Sequence, residues 1–166
     1  YVGSMMFHSA TNPDGSKDPS AYPKMYRKSR SYLAVTLPYG VLPQTNGISD
    51  ELHRINNIRY AFGIFDSGLK ELTLDEEAQW LGGATFAPDG LRCSGDLNLA
   101  KNRALLYVSN TDGVNDRYEL SGGFKGLALG KPHAHAWNAE TGVSLLVDGK
   151  TILETLPLDF SAIWVQ

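Results

Sequence analysis

The chain has 166 residues, 42% apolar and 20% charged, and its 15 basic and 18 acidic side chains leave a net charge of −3. That balance describes one globular domain able to bury its own core. It excludes disordered and fibrous chains, and it offers no long-range pull on phosphate backbones, which argues against general nucleic-acid binding. The single cysteine, Cys93, rules out an intrachain disulfide and a Cys-ligated zinc cluster, and no apolar run approaches the roughly 20 residues of a membrane span.

In chain order, residues 1–30 read as an irregular N-terminal arm or loop, and residues 31–166 as a single domain. The start at Tyr1, with no charged-then-apolar leader, is what a domain cut from a longer protein would show. Residues 22–32 set Lys24, Arg27, Lys28 and Arg30 among Tyr22, Met25, Tyr26 and Tyr32. That mixture suits either a solvated loop or a surface that stacks and pairs with an anionic glycan or single strand. A strand is expected at Tyr32–Leu37, then a short helix over Asp50–Asn56 capped by Ser49. Ile58, Tyr60, Phe62 and Ile64 alternate with Arg59, Ala61, Gly63 and Phe65, which predicts a central strand. Thr73 and Glu76 resemble a capping box for a helix over Leu74–Leu81, with a strand over 69–75 as the alternative. Further strands are expected at Ala84–Ala87, Ala104–Ser109, Gly126–Leu129, His133–Trp137 and Phe160–Val165. A hairpin is expected from Val143–Val147 to Thr151–Glu154 around a type I′ turn at Asp148-Gly149.

Turn signals punctuate these runs at Asp66-Ser67-Gly68, Pro88-Asp89-Gly90 and Asp112-Gly113. The pattern predicts an all-β fold: a β-sandwich or jelly-roll of short antiparallel strands with one or two short helices.

Three groupings could carry chemistry. In His133-Ala134-His135-Ala136-Trp137 the strand period puts both imidazoles and the indole on one face and the alanines on the other. With Asn138, these residues form a candidate ligand-binding surface; the alternative is a polar outward face over a tight interior. A metal there would need a third ligand from His8, His53, Glu140 or Asp116. The second grouping is the Gly-turn loop of Asn110, Asp112 and Asp116, a candidate calcium site. A helix–loop–helix calcium loop would put its first ligand at Val108, so only a looser β-loop site remains, against an ordinary Asx-rich turn. No other cofactor is expected. The third grouping is the basic segment already described.

Catalytic signatures are missing. There is no G-x-S-x-G elbow, Cys93 has the setting of a small buried residue, and Asp75, Glu76 and Glu77 suit a helix N-terminus. The stretch His135–Lys150 resembles the strand–turn–strand hairpin of laminin-G-like jelly-roll domains, and equally a hairpin of a β-propeller blade; either likeness implies a β-hairpin. The leading expectation is a non-catalytic, lectin-like recognition module. It would bind a glycan or cell-surface ligand and be cut from an adhesin-like or fibre-like protein outside the cell or on a particle surface. The alternatives are a polysaccharide hydrolase or lyase using His133 or His135, and a structural domain that forms a homo-oligomer.

Overall fold

The computed structural model describes residues 22–41, 50–81, 85–111, 113–122, 124, 127, 135–146 and 149–166. Its strands are β1 (Leu69–Leu72), β2 (Thr85–Ala87), β3 (Leu91–Asn98), β4 (Arg103–Asn110), β5 (Arg117–Ser121), β6 (Ala136–Asn138), β7 (Ser144–Leu145), β8 (Lys150–Glu154) and β9 (Asp159–Val165). They make two antiparallel sheets, a larger one in the order β1-β3-β4-β9-β6-β7 and a smaller one in the order β2-β5-β8. Helices α1 (Tyr22–Thr36), α2 (Asp50–Phe62) and α3 (Glu77–Trp80) complete the described elements, with 3-10 turns at Leu37–Tyr39, Leu74–Glu76 and Leu99–Lys101. The fold is a mostly-β sandwich with a helical layer added.

The sequence of β4 explains the layering. Ala104-Leu105-Leu106-Tyr107-Val108 is continuously apolar, the mark of a strand covered on both faces. Ala104, Leu106 and Val108 point toward the small sheet and join Leu91, Cys93, Tyr118, Leu120, Leu153, Ile163 and Val165 in one core. Leu105 and Tyr107 point the other way, into a second core with Leu33, Ala34 and Leu37 near α1, Ile55 and Phe62 of α2, and Phe160 and Ala162 of β9. The large sheet is therefore the middle of three layers.

An ionic clamp fastens α1 to the sheet. Arg30 is buried, forks onto Glu140 at 2.8 and 3.2 Å, and donates from Nε to Asp159 at 2.5 Å and from Nη2 to the Phe160 carbonyl at 2.6 Å. Its guanidinium also lies 4.4 Å from the centre of the Phe160 ring. Burial works against the charge, but the bonds and charges of Glu140 and Asp159 prevail and raise the Arg30 pKa. Arg27 adds a second bond to Asp159, at 2.9 Å, and another to the Pro157 carbonyl.

Several expectations are corrected. Tyr32–Leu37 is not a strand: it is the end of α1 and the start of a 3-10 turn, and residues 22–30 are helical. Ile58–Phe65 is not a strand either. Helix α2 extends past Asn56 to Phe62, and Ile55, Ile58 and Phe62 fall on one face at helical spacing while Tyr60 is 60% exposed. Gly63, at φ 87°, ends the helix, with Gly63 N and Ile64 N donating to Arg59 O. The 143–155 hairpin does not pair with itself: β7 joins β6 in the large sheet and β8 joins β5 in the small one. Among the described residues Thr151 Oγ1 links the two arms, donating to the Leu146 carbonyl and accepting from its amide.

Other expectations hold. Strands form over most of Ala84–Ala87, Ala104–Ser109 and Phe160–Val165. The 69–81 region holds both alternatives in succession, β1 and then the 3-10 turn and α3. The capping box does not form: Thr73 makes no side-chain bond to the helix backbone, and its hydroxyl donates to the Glu76 carboxylate at 3.1 Å. Of residues 126–129 only Leu127 is described; residues 1–21, Ser49, Gly82, Asp112, His133, Ala134 and Asp148 also lie outside the described residues.

Candidate functional site

The register of β6 against β9 sets Trp137 directly opposite Trp164. Their rings stack at 5.5 Å with 18° between planes, and both are half-buried. His135, one residue before β6, exchanges two backbone hydrogen bonds with Gln166, at 2.9 and 3.0 Å, which prolongs the strand pairing. Its exposed ring lies 4.8 Å from that of Trp137. Ala136, between them, is fully buried on the face toward the small sheet. The two-residue period thus gathers His135 and Trp137 on one side, as expected.

The strip continues under α2. Phe62 meets Trp164 edge-on at 5.4 Å, and the Arg103 guanidinium lies 5.1 Å from the centres of both rings. Arg103 is oriented by bonds to the Ala61 and Phe62 carbonyls at the end of α2. The whole forms an aromatic edge, wet at His135 and anchored by a cation at its inner end.

Other candidates are drawn into structural roles. Asn138 Oδ1 accepts from Glu140 N at 2.9 Å and Thr141 N at 3.0 Å, so it closes an Asx turn. Asn110, buried at the end of β4, donates to the Asn115 and Thr155 carbonyls and accepts from Tyr118 Oη at 2.9 Å, which spends its amide on joining strands. Asp116 is exposed, and among the described residues no cluster of three or more His, Cys, Asp or Glu could hold a metal ion. Glu140 is held by Arg30. Arg27 and Arg30, read as part of a basic surface, face Asp159 instead. Cys93 is buried among apolar side chains, and that burial pushes its thiol pKa up, as expected of an inert core cysteine.

A second feature was missed by the sequence reading. A pocket of about 360 Å³ opens between the 3-10 turn at Leu37–Tyr39, the end of α2 and the β1–β3 edge of the large sheet, with Arg59, Glu71, Asp96 and Tyr107 among its lining. Glu71 and Asp96 stand opposite each other in the β1–β3 register, and Tyr107 Oη lies 3.5 Å from Asp96 Oδ2. Burial raises the Asp96 pKa; Arg59 opposes that and Glu71 adds to it. Burial likewise raises that of Tyr107. The available signal was the alternation of Arg92, Ser94, Asp96 and Asn98 with Leu91, Cys93 and Leu97, a strand pattern in its own right.

The fold is similar to part of the solved chains of one enzyme. One match is the GH27 β-L-arabinopyranosidase Abp of Geobacillus stearothermophilus, with TM-score 0.52 and 11% identity, over 84% of this chain and 30% of that one. Another is an aspartate-to-alanine variant of that enzyme in complex with arabinose, with TM-score 0.50 and 11% identity, over 99% of this chain and 35% of that one. At that identity the likeness is one of fold, and the chain spans about a third of the length of these neighbours. No family model matches the chain, and neither does any curated protein.

Proposed function

We propose that this domain recognises carbohydrate without catalysing its conversion, through the strip of Trp137 and His135 backed by Trp164. The observation that carries the reading is the half-buried Trp137–Trp164 stack ending in an exposed imidazole. An indole partly open to solvent offers the C–H faces of a sugar ring dispersion contact, and the imidazole offers a hydrogen bond to a hydroxyl. The fold shared with an arabinopyranosidase, seen in one structure with arabinose, makes pentose-containing polysaccharides the first ligands to try. The test is affinity electrophoresis in gels containing arabinan, arabinogalactan, galactan or xylan. Parent protein should be retarded by at least one of them. Trp137→Ala should weaken that binding at least about tenfold, equivalent to ~1.4 kcal/mol, while keeping the parent's far-UV spectrum. Retardation that survives the substitution, or none on any polysaccharide, would refute the reading.

A further inference from the structure

We propose that the pocket lined by Arg59, Glu71, Asp96 and Tyr107 is a separate binding site for one uncharged, hydroxyl-rich ring of monosaccharide size. This stands apart from the aromatic strip and does not rest on it. A volume of about 360 Å³ falls within the range of small-molecule sites and is ample for one sugar unit.

The polar groups converge from four elements: Arg59 from α2, Glu71 from β1, Asp96 from β3 and Tyr107 from β4. Together they offer guanidinium donors beside carboxyl acceptors, with the Tyr107 hydroxyl turned toward Asp96. A hydroxyl both donates and accepts, so neighbouring hydroxyls on a ring are the natural match for that mixture. Arg59 Nε is buried and finds no hydrogen-bond partner among the described residues. That nitrogen is closed to solvent as it stands, so a ligand oxygen would satisfy it after a small turn of the guanidinium, and a buried donor left unmet favours such a turn.

The charges narrow the ligand further. Glu71 and Asp96 outnumber Arg59 and repel a phosphate or carboxylate, while Arg59 beside them weakens the hold on a cation. What remains favourable is a neutral polar ligand. Leu37, Ile64 and Leu69 supply an apolar wall for its C–H face. Next in the chain to lining residues stand two exposed aromatics, Tyr39 beside Gly40 at 70% exposure and Phe65 beside Ile64 at 85%. Phe65 stacks with Tyr60 at 5.9 Å, and both rings are exposed.

The experiment is a titration of the isotope-labelled chain with individual aldopentoses and aldohexoses, followed by NMR. Arg59 Nε–H and the Ser94 to Asp96 amides report on the pocket, and the Trp137 indole N–H reports on the strip. The expected result is saturable shifts at the pocket reporters for at least one sugar, with a Kd of about 1 mM or tighter. Arg59→Met, which keeps the stem and removes the donors, should weaken that binding at least about fivefold. Shifts confined to the Trp137 indole overturn the proposal, as do no shifts with any sugar, or unchanged affinity in Arg59→Met. If that variant does not fold, the Arg59 Nε–H signal of the parent protein decides alone.

Discussion

Asp96 is held where its charge is unwelcome, buried beside Tyr107 and across from Glu71, with Arg59 as the facing cation among the described residues. Its pKa is raised, so the folded state binds the proton more tightly than the unfolded state does. The stability this confers is complete below the ordinary aspartate range, and it is lost as pH climbs from there through the raised value. At pH 7 an ionised Asp96 is therefore a net cost. Asp96→Asn should melt a few degrees higher than the parent at pH 7, with the gap closing below about pH 4; calorimetry at the two pH values checks it, and a lower melting point at pH 7 would mean that Arg59 outweighs burial. Arg30 is the opposite case, a buried cation fully met by Asp159 and Glu140. Arg30→Met takes Glu140's partner away and leaves Asp159 with Arg27, and should cost about 3–5 kcal/mol in urea unfolding, while Arg30→Lys should recover less than half, since lysine lacks the planar fork. Of the candidate strip, His135 and Trp137 were legible because a strand period is local. Trp164 was not, because its meeting with Trp137 depends on which strand lies beside β6, and that is settled by long-range packing.

At the scale of elements, apolar alternation alone did not decide α2. Ile58, Tyr60, Phe62 and Ile64 satisfy a two-residue period, yet Ile55, Ile58 and Phe62 satisfy the helical one over a longer span and bury more side chain against β4 and β9. The positive φ of Gly149 was legible, at 92°, and the pairing of its flanking segments was not: they enter different sheets, and Asp148 lies outside the described residues. Nothing lies within 4 Å of a Cβ built at Gly149, so the effect of a side chain there is one of backbone conformation alone. Gly149→Val should cost about 1–2 kcal/mol, read as a lower urea midpoint with unchanged slope. A midpoint equal to the parent's would show that the turn relaxes into another shape.

For the whole molecule, the shared sheet couples the two cores. Leu105 and Leu106 are neighbours in the chain and both are fully buried, but they serve opposite layers. Leu105→Ala and Leu106→Ala should each cost about 2–5 kcal/mol. In both variants, tryptophan fluorescence and far-UV dichroism should lose signal at the same temperature, because neither layer keeps its core without the middle one. Separate transitions would show that the helical layer detaches first. The place of β9 has a further consequence, for the timing of folding during synthesis. The last of the nine described strands lies inside the large sheet, between β4 and β6, and carries the Asp159 that receives Arg27 and Arg30. A ribosome delivers it after every other described element, so until then β4 lacks one neighbour, β6 has none on that side, and α1 has Glu140 but not Asp159 to hold it. Through that interval the nascent chain presents two unpaired strand edges and an open apolar face, the condition in which chaperones engage and neighbouring chains aggregate.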